Sequence, residues 1–335
     1  MSCSWIVSAL MCVFISMSAV KVDAHDQIHI AGSYTLEPFA QHVSQEFSKE
    51  TTFPSPIYKS IGPETDLELL FTGDNGPYID IAMLSRQIES SGLSQAKVKE
   101  VNDLIQIPVG FDGIIVANSR QGAKFRLTRK DLFLALAAEV PVKGKLEKNP
   151  YSSWNQIRSG LPKQKILVYG PPSSSGTRHV FVEKVIDELS ETMPEYRDNG
   201  GKYAKIRRDG AYVAFIDQEQ TMLDEVRNNL DAIGIISYGL YMQNKDTLRY
   251  ASVDGFAPTY DNIVSGKYPI TKKLFMCVQN SNLAKVKGIR TYIELFLSED
   301  MIGENGQLSD LGLIPLSSAD RLRNRLEWLK QSRQL

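Results

Sequence analysis

The chain has 335 residues, more than one ordinary hydrophobic core accommodates, so two lobes are expected. Its 42% hydrophobic and 23% charged residues suit a soluble globular protein. With 38 Lys+Arg against 39 Asp+Glu there is no basic surplus to argue for nucleic acid.

From Trp5 to Val20 the side chains are apolar, Ser or Cys, and Lys21 is the first charge. This run is shorter than the roughly 20 residues a bilayer span needs, and it is followed by Val22-Asp23-Ala24, which ends in a small residue. A cleaved secretory signal over residues 1–24 is expected, although Met1 to Ser4 lacks the usual Lys or Arg. Cleavage removes Cys3 and Cys12 and leaves Cys277 as the single thiol, so no internal disulfide forms. An exported protein of this size without disulfides suits a bacterial periplasm. Cys277 lies in the apolar run Leu274 to Val278 and reads as a small buried hydrophobe without a function.

Short β-branched runs then alternate with amphipathic stretches. The first, Ile28-His29-Ile30, leads into Ala31-Gly32-Ser33-Tyr34-Thr35-Leu36, where Ser33 and Thr35 offer hydroxyls before a helix that begins near Phe39. Ser55 to Tyr58 follows, then Ser60-Ile61-Gly62-Pro63-Glu64-Thr65-Asp66, whose Ser60 and Thr65 read as helix caps. Tyr78 to Leu84 is a strand that ends in a hydroxyl and a guanidinium, Ser85 and Arg86. Further strands are expected at Leu104 to Val109 and Gly113 to Ala117, and a helix at Lys130 to Ala138.

The strongest local signal is Lys165 to Tyr169, a buried strand, followed by Gly170-Pro171-Pro172-Ser173-Ser174-Ser175-Gly176-Thr177-Arg178. Such a loop offers an oxyanion the hydroxyls of Ser175 and Thr177, the first N–H groups of a helix, close approach at Gly176 and the planar fork of Arg178. Capping of the helix would account for one serine, but not for several hydroxyls plus Arg178. Five residues separate Gly170 from Gly176 and Thr177 stands where a P-loop has Lys, which excludes that nucleotide motif. Gly-x-Ser-x-Gly is absent, and His25, His29, His42 and His179 show neither triad order nor metal spacing, so no enzyme, metal or cofactor is expected. Phe181, Val185 and Leu189 place one face of the helix over Thr177 to Leu189 in a core, and Ala232 to Ser237 is the next strand. Arg207 and Asp209 read as a surface or interlobe ion pair. At the end, Leu322, Leu326 and Leu329 mark an amphipathic helix over residues 318–335.

Strand, loop and helix in alternation mean α/β, each lobe a mixed, mostly parallel sheet flanked by helices. No linker divides the chain, so the lobes are expected to be joined by more than one crossing, near Gly110 to Val116 and near Ser252 to Phe256. Lobe 1 is then residues 25–113 and 253–335, and lobe 2 residues 114–252.

At these residues the sequence resembles the phosphate-binding proteins of high-affinity phosphate ABC transporters, periplasmic receptors of the two-lobed flytrap type. The resemblance rests on Gly32-Ser33-Tyr34-Thr35, on Asp80 to Arg86, on Gly170-Pro171-Pro172 through Arg178, on Arg207-Arg208-Asp209-Gly210, on Tyr260 to Ile270 and on Leu311 to Leu316, in the family's order. It implies a monomeric receptor that captures inorganic phosphate and docks on a membrane permease. It also implies a ligand set of Ser33, Thr35, Leu36, Ser85, Arg86, Ser175, Gly176, Thr177 and Arg178. The chain departs from the family at Pro63-Glu64-Thr65-Asp66, where a lost N–H donor and two carboxylates should lower affinity. Sulfate or molybdate capture, or a degenerate sensor, are the alternatives on the same fold.

Overall fold

The computed structural model describes residues 26–60, 79–88, 104–198, 204–216 and 219–332. The expected signal at residues 1–24 and the Pro63 to Asp66 loop lie outside the described residues.

In chain order the strands are β1 (His29–Gly32), β2 (Ile57–Ser60), β3 (Ile81–Leu84), β4 (Leu104–Ser119), β5 (Arg126–Leu127), β6 (Glu139–Val142), β7 (Lys145–Lys148), β8 (Val168–Gly170), β9 (Tyr212–Ala214), β10 (Ile233–Ser237), β11 (Leu248–Tyr250), β12 (Ser252–Val253) and β13 (Thr271–Gln279). Among the described residues the main sheet runs β2-β1-β3-β13-β4-β10-β8-β9, with β11 also on β4. Its outer pairs, β2-β1-β3 on one side and β10-β8-β9 on the other, are parallel. The central pairs formed by β13 and β4 are antiparallel.

Two strands expected from the sequence are one. β4 spans 16 residues and changes partner midway, pairing with β13 as far as Gly113 and with β10 from Ile114. Its burial follows: alternate residues are buried from Leu104 to Pro108, whereas Val109 to Ala117 are buried throughout, because that stretch passes between two cores. One core gathers Phe39, Val43 and Phe47 of α1 (Glu37–Glu50) with Tyr292 and Phe296 further on. The other gathers Leu132 and Phe133 of α2 (Arg129–Leu136) with Trp154, Phe181 and Val185. The start of α2 is fixed by a capping box in which Thr128 Oγ1 accepts from Asp131 N at 3.0 Å and Thr128 N donates to Asp131 Oδ2 at 2.8 Å.

A second crossing is expected near residues 252–256. There β12 pairs with β5, and Val253, Ile263, Tyr268 and Ile270 all pack into the second core. The chain rejoins the first sheet at Thr271, which pairs with Gly113, because the aromatic and branched side chains before it already have partners in the second core. A further strand-like contact, Phe111 with Ile314, adds the chain's late segment to the seam.

The terminal helix forms over Ser318–Ser332 and packs Leu329 against the first core, but its buried stripe leaves out Leu322 and Leu326. Arg321, Trp328 and Ser332 face inward, while Leu322 and Leu326 stay 58% and 57% exposed. Leu322 and Leu326 lie about 120° and about 160° round the helix from Trp328, and Arg321 is held inward by Glu299 and by the carbonyl of Leu316 at 2.6 Å. Cys277 is fully buried, and burial pushes its thiol far up, in keeping with a packing role.

At Gly32 a side chain is excluded, since a Cβ would stand 2.0 Å from the carbonyl oxygen of Met83 on β3. Gly32→Ala should therefore force β1 and β3 apart and destabilise by about 1–3 kcal/mol or more. A urea melt checks this, and an unchanged midpoint would contradict the close approach.

Candidate anion-binding site

The parallel strands set where donors collect. Gly32 pairs with Ser60 and with Met83, so the carboxyl ends of β1, β2 and β3 lie side by side. Ser33 and Ser85 follow directly. In α/β sheets this edge, where loops feed helix N-termini, is the place for an anion. The loop after β1 is tightly wound: Ser33 N donates to Met83 O at 2.9 Å, Leu36 N to Ser33 O at 2.9 Å, and Tyr58 Oη to Ser33 O at 2.8 Å. Thr35 is buried and its N–H reaches Ser33 Oγ at 3.3 Å. Leu36 closes the loop and stands at the start of α1, whose first turn holds Pro38.

The second loop follows β8 and opens α3 (Gly176–Phe181), which continues through a π-helical turn at Val182–Asp187 to Thr192. Ser175 is the cap residue but makes no side-chain capping bond, so its hydroxyl is not spent on the helix. The first-turn N–H groups of a helix have no intrahelical partner. Gly176 sits against the other loop: a Cβ there would stand 2.5 Å from Thr35 Cα and 2.8 Å from Thr35 N. Tyr34 and His179 stack across the same seam, with ring centroids 4.8 Å apart and planes 4° apart. The two loops expected from the sequence, drawn from the two cores, are thus in direct contact.

Arg178 lies half-buried with its guanidinium 4.0 Å over the ring of Tyr212. Tyr212 in turn clamps the loop by donating to Pro171 O at 2.7 Å. Arg178 Nη1 is buried with no hydrogen-bond partner among the described residues, and loss of solvent holds the guanidinium below its ordinary value. A buried donor left unmet is costly, and an anion oxygen would satisfy it. Thr177 is half-buried beside it. Ser85 accepts from Lys272 Nζ at 3.1 Å, and Arg86 stands exposed one residue on.

Other charges noted in the sequence have occupations of their own. Arg207 holds Asp209 in a fork of 2.8 and 2.5 Å and also donates to Tyr151 O at 2.8 Å, which keeps the Asp209 carboxyl below its usual range. Ser60 donates to Glu37 at 2.5 Å. Residues that sequence reasoning did not single out are Tyr34, Tyr212, Glu183 and Lys272. A stack, a clamp and a cross-lobe ion pair depend on three-dimensional proximity and leave no local pattern.

A family model described as the PBP superfamily domain matches residues 19–300. The chain belongs to the PBP superfamily. Among curated proteins of this kind, it is 24% identical over 292 residues to Protein SphX of Synechococcus elongatus, covering 85% of this chain and 76% of that one. It is 22% identical over 273 residues to the phosphate-binding protein PstS of Staphylococcus haemolyticus, covering 80% and 75%. Among solved structures of the superfamily, a possible phosphate binding protein from Planctomyces limnophilus superposes with a TM-score of 0.68 at 20% identity over 91% of this chain and 98% of that one. An ABC-type phosphate transport receptor from Vibrio cholerae gives 0.59 at 20% identity over 86% and 100%. The two-lobed PBP fold expected from the sequence is the fold of this chain.

His179 has a partly exposed ring, but burial, the charge of Lys272 and the charge of Arg178, in that order, hold it below the ordinary histidine value. The folded chain thus binds this proton less readily than the unfolded one, so stability falls as pH drops through the histidine range. A proton-detected NMR titration should show His179 titrating below 6.5. A midpoint at or above that value would contradict the cationic surroundings.

Proposed function

We propose that this chain is an extracytoplasmic substrate-binding protein that closes two lobes over inorganic phosphate and delivers it to the membrane permease of an ABC importer. The approach of Gly176 to the Thr35 backbone supports this reading above all, since it joins two donor loops carried by different cores. A tetrahedral dianion stripped of water needs donors on every side, and neither loop supplies them alone. Ser33, Thr35, Leu36, Ser85, Arg86, Ser175, Gly176, Thr177 and Arg178 form the proposed ligand set. Relatives named as phosphate-binding and phosphate-transport proteins favour phosphate over sulfate or molybdate. Asp209, one of two carboxylates that could have accepted a phosphate proton, is occupied by Arg207. The other, Glu64, lies outside the described residues.

The same reading makes the protein a monomer exported by a cleaved signal and acting as a binding protein rather than an enzyme. Among the described residues no helix is long and apolar enough to cross a membrane. We place the second lobe at residues 114–270, with the chain returning at Ile270–Thr271, on the packing of Val253, Ile263, Tyr268 and Ile270.

Arg178→Ala should weaken phosphate binding by roughly one to four orders of magnitude. A charge-assisted hydrogen bond contributes about 1.5–3 kcal/mol, and a planar fork can supply two. Thr177→Ala should cost less, and Arg178→Lys, which keeps charge but loses the fork, should fall between. Calorimetric titration of phosphate, sulfate and molybdate into wild type and these variants checks both claims. A change under about threefold for Arg178→Ala would remove it from the site, and sulfate binding as tightly as phosphate would overturn the ligand assignment. Small-angle scattering should also show compaction on phosphate addition, and no change at saturation would exclude lobe closure.

A further inference from the structure

Lys272 stands where the two lobes and the crossing strands meet. It is the second residue of β13, one step past the point where the chain rejoins the first sheet, and its side chain is only 9% exposed. A lysine so enclosed is uncommon without a partner of specific use. Its ammonium reaches two groups on different lobes: Ser85 Oγ at the end of β3, at 3.1 Å, and the Glu183 carboxylate on the helix that begins at Gly176. Directly opposite it in the β13–β4 register is the buried Asp112, so the two side chains share a face of the sheet. Its charge is also felt at His179 and Asp187 on the second-lobe helix.

The direction of the Ser85 contact is fixed by chemistry. An ammonium has three donors and no acceptor, so Lys272 donates and Ser85 Oγ accepts. The single proton of the Ser85 hydroxyl is then left for another acceptor. Lys272 thereby turns an ambivalent hydroxyl into a committed donor at the edge where the anion is proposed to sit. The Glu183 contact binds the same ammonium to the second lobe, in the arrangement that also presses Gly176 against Thr35.

We propose that Lys272 is a positioning residue of the anion site, which orients Ser85 as a donor and, through Glu183, couples that orientation to closure of the lobes. The proposal rests on the phosphate reading above and adds to it a cation outside the loops that carry the ligand set. Glu183 is the gauge of closure in this scheme, since opening the cleft would draw it away from Lys272.

The test is calorimetric titration of phosphate into the full chain as wild type, Lys272→Met, Lys272→Arg, Ser85→Ala, Glu183→Gln and the Lys272→Met/Ser85→Ala double variant, with melting points taken without phosphate. Lys272→Met should weaken binding about tenfold or more, and Lys272→Arg should recover much of the loss. The double variant should bind no more than about threefold worse than the poorer single one, because both changes remove one arrangement. Glu183→Gln should weaken binding about three- to tenfold and reduce the compaction seen by scattering. Lys272→Met within threefold of wild type, or losses that multiply in the double variant, overturns the proposal. If Lys272→Met does not fold, Glu183→Gln decides, and unchanged affinity there sinks the idea. Absence of phosphate binding by the wild type overturns both this inference and the reading beneath it, whereas tight wild-type binding with unaffected variants overturns this inference alone.

Discussion

A Cβ at residue 176 would overlap the backbone of residue 35, and the glycine there is what lets a loop of one lobe touch a loop of the other. Candidate donors lie on both sides of this point. The Thr35 turn is buried and bonded to Ser33, so it presents a fixed surface. The opening turn of the helix from Gly176 brings unpaired N–H groups to that surface, and the stack of Tyr34 on His179 steadies the approach beside it. Arg178, clamped over Tyr212, lies two residues further on with a buried N–H still unmet.

That approach depends on how the sheet is built. Parallel outer strands put the ends of β1, β2 and β3 on one edge and give each lobe a row of loops facing the cleft. The antiparallel centre instead joins the lobes, since β4 belongs to both halves and β13 returns beside it. Because β4 is one continuous strand, its two halves are covalently joined at the stretch where it changes partner. The two crossing strands are accompanied by a third contact at Ile314.

Charge is sorted in the same way. Arg207 and Asp209 satisfy each other and stiffen the second lobe, so neither adds to the field in the cleft. Burial pushes the Asp112 carboxyl up to about 6 despite the nearby Lys272 charge. His179 is held toward its neutral form. Arg178 remains as an enclosed positive group over Tyr212, while Lys272 is balanced by Glu183 and donates to Ser85.

The sequence by itself determined the elements and the loops. Ala232 to Ser237 is a strand almost as expected, and of Lys165 to Tyr169 the end at Val168–Tyr169 is one, for reasons of side-chain shape, and Gly-Ser or Ser-Gly-Thr-Arg at a strand end is a donor loop wherever the strand points. It also settled the fold class, since alternating strands and helices have few ways to bury their apolar faces. Tertiary structure decided everything that depends on partners distant in the chain. It merged Leu104 to Val109 with Gly113 to Ala117, because one strand could serve two cores. It packed Tyr268 and Ile270 in the second core and began β13 at Thr271. It turned the last helix onto Arg321 and Trp328 rather than Leu322 and Leu326, because a buried guanidinium, paired with the half-exposed Glu299, and an indole filled the space available. It brought Lys272 to Ser85 across 187 positions of sequence, a proximity that no local pattern encodes, since it arises from the register of β13 against its neighbours.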